Sequence, residues 1–546
     1  MAAAATATGR PAVIRKLGHL DVYHSAWHTL RHLIAVVIAC RYAVPSSPGL
    51  SEQQLRTVFE HAVARTVLDH PVLRVGIIDD TSKKPIWARI PSVDLAAHMD
   101  WQTLDCTSEQ DYETKLQALI DHHHDTQFTE LATKPGWRMT LLRRRISSPG
   151  NLSAVDGTAA PASGLEPFVE VVFSWNHANF DGMGGKIFHE TLLGNLNKVA
   201  SAAKDDIQLP LEGHVLDLAA YPLNKKNFTP NLHDVTKLPV TPGFTVKTAW
   251  KELKPAKKTA ADPAVSTNSH GTLWAPCVEE PYKTHTLRSH PLDGPALSRV
   301  LALCRKQAGG GVTLTALLHA LCLSSMAPLF PAGTATTGTV PPPDYFEAGT
   351  ALNFRRFLKP SPPGYPGFEP SRTMANYVTS LDHKFGPDIV AEIRKTDASD
   401  DPSGVQLTDA TKAVVWRAAA QIKRDLQARM DLGVKNDQAG LMALVGDWRA
   451  QHSASAKKPR HFAWALSNIG VINGGDGTSG NNWTIDKSWF TVGAMVTGGV
   501  FMVSPVAVKG QGLFLACTWQ DGVVEKQFAE KFFARLDARL RELAVE

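Results

Sequence analysis

The chain has 546 residues, 43% of them apolar and 20% charged, with a formal net charge of +5 at pH 7. That length divides into roughly two to four domains or two large lobes, and the composition is that of an ordinary globular protein. The small charge excess argues against a nucleic-acid partner, which asks for a concentrated basic patch, and suits an anionic small molecule. Six cysteines (Cys40, Cys106, Cys277, Cys304, Cys322 and Cys517) stand without CxxC spacing, which excludes a zinc or disulfide framework and fits a reducing cytoplasm.

Residues 1–12 read as disordered and carry no secretory signal, although Arg10, Arg15 and Lys16 leave a transit peptide open. His19, His24, His28 and His32 recur near helical spacing, as a packed or substrate-facing segment would. The longest aliphatic run, Leu33 to Cys40, has eight residues. It is too short for a membrane span, which needs about 20, and with Tyr42 it reads as a buried strand. Ser51 opens a helix in which Leu55, Val58, Phe59, Ala62, Val63 and Val67 share a face. It stops near Asp69-His70-Pro71, because proline restricts the residue before it.

A strand is expected over Val72–Ile78, a helix over Asp111–His124 and a strand over Trp137–Leu142. His122-His123-His124-Asp125 resembles a metal tract, but consecutive helical residues diverge, so a solvated helix end is the expectation and no metal is expected. Residues 147–164 read as an exposed loop, and Phe168 to Phe173 as a strand. A helix follows from about Gly185 to Ala200. Residues 204–284 lose periodicity and hold a Lys-rich piece, Lys251 to His270, which reads as a crossover. Beyond it, helices are expected at Pro295–Lys306, Thr313–Ser325, Asp409–Leu432, Leu441–His452 and Val524–Leu543. Strands are expected at Ala351–Arg355, Phe462–Leu466, Trp489–Val496 and Gly512–Thr518. Helices mixed with non-alternating strands predict layered α/β lobes.

The most informative stretch is Ser174-Trp175-Asn176-His177-Ala178-Asn179-Phe180-Asp181-Gly182. A histidine leaving a buried strand, with Asp-Gly four and five residues on, presents one imidazole in a fixed pose, as a general base for a hydroxyl or amine requires. A merely packed histidine is the plain alternative. Gly182, Gly184 and Gly185 lack the spacing of a phosphate loop and read as room for substrate and a tight turn. No GxSxG elbow is present, so direct transfer is favoured over an acyl-enzyme.

In order along the chain, Asp69-His70-Pro71-Val72-Leu73-Arg74, Pro135-Gly136-Trp137-Arg138, His177 to Gly182, Gly311-Val312-Thr313-Leu314-Thr315, Leu352-Asn353-Phe354-Arg355 and Leu466-Ser467-Asn468-Ile469-Gly470 form a set. That set resembles the HxxxDG CoA-dependent acyltransferase superfamily, which includes chloramphenicol acetyltransferase, peptide-synthetase condensation domains and plant and fungal alcohol acyltransferases. The opening Arg15 to Tyr23 is most similar to fungal alcohol acetyltransferase-like proteins. Two departures stand out: Asn176 takes the place of the second histidine usual in condensation domains, and no DFGWG segment of the plant enzymes is found.

The resemblance implies an α/β fold of two chloramphenicol acetyltransferase-like lobes, each a mixed sheet with helices, and a central solvent channel between them. It places a first lobe at 13–203, a crossover at 204–284 and a second lobe at 285–546. His177 is then the base, Asp181 a structural brace with Arg355 as partner, and Gly182 part of the motif. Ser467 and Asn468 are candidates for holding the donor or an oxyanion, with a plain turn as the alternative. The implied reaction moves an acyl group, acetyl by default, from acyl-CoA to the hydroxyl of a small alcohol or secondary metabolite, in a monomer without metal. A carrier-protein donor as in condensation domains, a cyclisation, and a non-catalytic binder of the same fold are the other readings.

Overall fold

Apolar, β-branched runs buried on both faces organise the molecule around two sheets. The structure, a computed structural model, describes residues 11–46, 49–146, 164–201, 208–253, 275–307, 309–330, 343–397, 405–460, 462–476 and 480–545. The expectations for residues 1–10, the loop 147–163 and the Lys-rich piece 254–270 lie outside the described residues. In the first half the elements that matter are helix α1 (His19–Thr29), strand β1 (Val36–Ala43), helix α2 (Glu52–Asp69), strand β2 (Met99–Cys106) and helix α3 (Glu109–Asp125). Strands β3 (Trp137–Ile146) and β4 (Phe168–Trp175) and helix α4 (Gly182–Ser201) complete it. The second half supplies β5 (Thr284–Arg288), α5 (Leu314–Met326), β6 (Phe346–Asn353), β7 (Val378–Phe385), α6 (Asp409–Asp431), α7 (Trp448–Ser455) and β8 (Phe462–Leu466). It ends with β9 (Thr484–Val492), β10 (Gly499–Val508), β11 (Gly512–Gln520) and α8 (Lys526–Val545).

One sheet runs β9-β1-β4-β3-β2, with only the β2–β3 pair parallel. The other runs β5-β11-β10-β8-β6-β7, with β8 parallel to both β10 and β6. Strand β9 comes from the second half of the sequence yet pairs with β1 in the first sheet. The stretch 208–253 also spans the two halves. Its Val215–Asp217 strand pairs with Ser92–Asp94, and Thr241 N–H donates to Asn436 Oδ1 at 2.8 Å. Each sheet has its own apolar core, and a third small cluster joins Leu20 of α1 and Leu232 to Phe354 and Tyr377.

Local chemistry sets the boundaries. Ser51 caps α2 with a reciprocal bond to Gln54, as its position predicts. The expected strand over Val72–Ile78 begins only at Val75, because Pro71 opens a 3₁₀ turn over Pro71–Arg74. The expected helix Leu441–His452 is two pieces, a 3₁₀ turn over Gln438–Leu444 and α7, separated where Asp447 caps the latter. The expected strand through Arg355 stops at Asn353, whose side chain accepts from the Arg355 N–H and turns the chain. Strand β10 goes unread in the sequence because Pro505 interrupts it, and proline is rare inside a sheet. In the structure the missing N–H of Pro505 faces the gap where β8 gives way to the turn Ser467–Gly470. Val503 C=O and Ala507 N–H bond Ser467 and Gly470 on either side.

Buried imidazoles are unusually frequent. The His-rich end of α3 is not solvated. His123 lies between Ser174 and Thr140, at 2.8 and 2.9 Å, and His124 between Ala35 C=O and Thr491 Oγ1, at 3.2 and 2.8 Å. Only His122 of the three is exposed. Burial holds His28, His124, His189 and His452 neutral, each pushed down to about 3. Unfolded, each would take a proton below about 6.5, so stability is unaffected above that pH and is lost as pH falls from there toward 3. The loss is about 1.4 kcal/mol per unit for each ring, against a typical total of about 5–15 kcal/mol. The protein is therefore expected to unfold cooperatively between about pH 4 and 5.5, read by circular dichroism. Native signal at pH 3.5 would contradict the assignment.

Candidate active site

The site is built where β4 ends. Its eight residues are all buried, which makes the strand a rigid support. The turn after it is held by short bonds: Asn176 Oδ1 accepts from Ala178 N–H at 2.9 Å, and Trp175 Nε1–H donates to Phe180 C=O at 2.8 Å. His177 sits in that turn and keeps partial exposure, whereas Asn176 and Ala178 are fully buried. Helix α4 can start at once because its first turn is glycine-rich. A Cβ at Gly185 would lie 2.3 Å from the Trp175 ring, and one at Gly182 would lie 2.9 Å from Phe490 and 3.0 Å from Ile469.

Asp181 does two jobs. Its Oδ1 accepts from Gly184 N–H at 3.0 Å, capping α4. Its Oδ2 accepts from Arg355 Nη1 at 2.7 Å and from Tyr377 N–H at 2.9 Å. Arg355 spends its other terminal nitrogen on the carbonyls of Thr373 and Ala375, at 3.1 and 2.9 Å. The Asp181 and Arg355 side chains are 3% and 4% exposed, so this ion pair is interior. It ties the His177 turn to the segment 373–377 just before β7.

That same segment holds His177. Asn376 Oδ1 lies 3.2 Å from His177 Nδ1, and Asn376 Nδ2 donates to the carbonyls of His177 and Ala178 at 2.9 and 3.0 Å. On the flat side of the imidazole lies the ring of His24 from α1, 3.8 Å away between centroids and tilted by 14°. Burial lowers the His177 pKa below 6.5, opposed by its backbone, by Asp181 and by Asn376. Burial, helped by His177 and His452, drives His24 well below its usual range, so the stacked pair does not carry two charges. Around His24 an aromatic group links α1 to α7: Tyr23 meets Trp27, Trp448 and His452 at 4.5, 4.8 and 4.7 Å.

Of the residues singled out in the sequence, His177, Asp181, Gly182 and Arg355 are thus brought together. The Ser467–Gly470 turn reaches them through Ile469, which faces Gly182. Asn468 is occupied, its Oδ1 accepting from Gly470 N–H within the turn at 2.8 Å and its Nδ2 donating to Thr315 of α5 at 3.2 Å. His24 and Asn376 were not singled out as working partners of His177. The histidine spacing of α1 hinted at the first, while nothing local marks Asn376. A small cavity lies behind Asn376, lined by Arg15, Asp21, Asn179, Asn231 and Tyr377 among others.

No family model matches the chain. It is 25% identical over 528 residues to a protein of Fusarium pseudograminearum named as the probable alcohol acetyltransferase FCK4, covering 96% of this chain and 94% of that one. It is 20% identical over 527 residues to the similarly named crmB of Aspergillus fumigatus, covering 94% and 96%. Among solved structures, TRI3 trichothecene 15-O-acetyltransferase from Fusarium sporotrichioides superposes with a TM-score of 0.65 at 15% identity, covering 98% of this chain and 96% of that one. That likeness shows the fold: the chain has the two-lobed α/β architecture of this acetyltransferase.

Removing one partner of a buried ion pair strands the other charge. Asp181→Ala is expected to lower unfolding stability by about 3–5 kcal/mol in urea titrations, and adding Arg355→Met should recover part of it. A single-variant loss within about 1 kcal/mol, the range of a surface pair, would contradict the bracing geometry.

Proposed function

We propose that this protein is a CoA-dependent O-acyltransferase that moves an acyl group, acetyl in the first instance, onto the hydroxyl of a small organic molecule, with His177 as general base. One observation carries the reading. His177 Nδ1 faces Asn376 Oδ1, an amide oxygen that only accepts, so it keeps the single proton of a neutral imidazole and leaves the lone pair on Nε2. His177 keeps partial exposure as a residue, and its ring is anchored to both halves of the molecule. Full-length likeness to proteins named alcohol acetyltransferases supports an alcohol as acceptor and a CoA thioester as donor.

The residues then act in a simple order. Nε2 takes the proton of the acceptor hydroxyl as its oxygen attacks the thioester carbonyl, forming the new C–O bond. The tetrahedral oxyanion collapses, the C–S bond breaks, and the imidazolium returns the proton to the departing thiolate. His24, kept neutral by its burial, stacks against the transient imidazolium without repelling it. Asp181 and Arg355 take no part in proton transfer; both are spent on holding the turn. Among the described residues no helix is long and apolar enough to cross a membrane.

The test is thiol release from acetyl-CoA with a panel of alcohols. His177→Ala should lower the rate about 10²–10⁴-fold without unfolding the protein; an unchanged rate removes the base. Because the folded His177 pKa lies below 6.5, the neutral base survives mild acid. The acid limb of kcat/KM should therefore fall below pH 6.5, and a limb at 7 or above would contradict the buried, neutral ring.

A further inference from the structure

Asn376 carries no motif, yet every hydrogen-bonding atom of its side chain meets the His177 turn or α1. Its Nδ2 faces three oxygens: Asp21 Oδ1 at 3.2 Å, His177 C=O at 2.9 Å and Ala178 C=O at 3.0 Å. Two of these are carbonyls and the third is a carboxylate, so none can donate when Asp21 is ionised. The amide is thereby oriented: the nitrogen must point at them, and the oxygen must point at His177 Nδ1, 3.2 Å away. An amide oxygen only accepts, so the proton belongs on Nδ1. Asp21 is itself held, with Oδ2 accepting from Gly18 N–H at 3.0 Å and the Arg15 guanidinium 4.0 Å away as a counter-charge. Asp21 and Asn376 are 9% and 3% exposed, which keeps water from competing for these bonds.

We infer that Asn376, locked by Asp21, is a positioning residue that sets the tautomer and the pose of His177 from the opposite half of the chain. The chain of bonds runs from Asp21, through Asn376 just before β7, to the ring in the turn after β4. It differs in kind from the Asp181–Arg355 pair, which fixes the backbone of the turn and touches no atom of the imidazole. The consequence is that docking of the segment 373–377 favours a free lone pair on Nε2. Only the kinetic part of this inference rests on the acyl-transfer reading; the tautomer does not.

The experiment is histidine-selective ¹⁵N labelling of the full chain, with the tautomer of His177 read from long-range ¹H–¹⁵N correlations and assigned by its disappearance in His177→Gln. In the wild-type protein His177 is expected as a single Nδ1–H tautomer. Asn376→Ala should give a mixed or exchange-averaged ring and a kcat reduced about tenfold or more with KM little changed. Asp21→Asn, which keeps an oxygen that can accept from Asn376, should retain more of the wild-type tautomer and rate than Asp21→Ala. A wild-type His177 protonated on Nε2 overturns the inference without any variant. So does an Asn376→Ala protein that keeps the pure Nδ1–H tautomer and a rate within about twofold, well short of what a base contributes. If the tautomer responds as expected while no alcohol releases thiol from acetyl-CoA, the positioning role stands and the proposed reaction fails.

Discussion

The bond between Asp181 and Arg355 is the constraint on which the site rests. Desolvating two charges costs several kcal/mol for each ion, and a bare pair seldom recovers that. Here the cost is offset by hydrogen bonds that use both carboxylate oxygens and both terminal guanidinium nitrogens. Of the polar side-chain atoms of this pair, Arg355 Nε finds no partner among the described residues. What the pair adds is registry. It sets the turn after β4 against the segment 373–377, and so decides where the imidazole can be.

Around that clasp the ring is held on two sides by different parts of the chain. Its edge meets Asn376 and its face meets His24. Burial favours the neutral form of both rings. The lowered pKa is thus a consequence of the packing that positions the His177 ring. The same physics acts more widely, since His28, His124, His189 and His452 are also buried and neutral. The interior trades acid tolerance for rings that can accept and donate in fixed directions.

Much of this was legible in the sequence. Runs such as Leu33 to Cys40 and Phe168 to Phe173 show their burial because both faces are apolar, and Ser51 shows its cap because the capping bond is local. The motif from His177 to Gly182 stands out because a strand end, a turn and a glycine-rich helix start each leave a local signature. What stayed hidden depends on distance in sequence. Asn376 matters only because β7 brings it beside a residue 199 positions earlier. His124 looked solvated because the helix pattern does not show Ala35 and Thr491 waiting to receive it. Strand β10 was masked by Pro505, whose lost donor is harmless only next to the interruption between its neighbours.

The central claim is that His177 Nε2 faces the reacting thioester at the meeting of the two halves. A crystal structure of the protein with CoA tests it most directly. The account predicts the CoA sulfur within about 3–4 Å of Nε2, with Nδ1 still bonded to Asn376 and the Asp181–Arg355 pair intact. A thiol bound elsewhere, or a His177 ring closed off from it by packed side chains, would contradict the account.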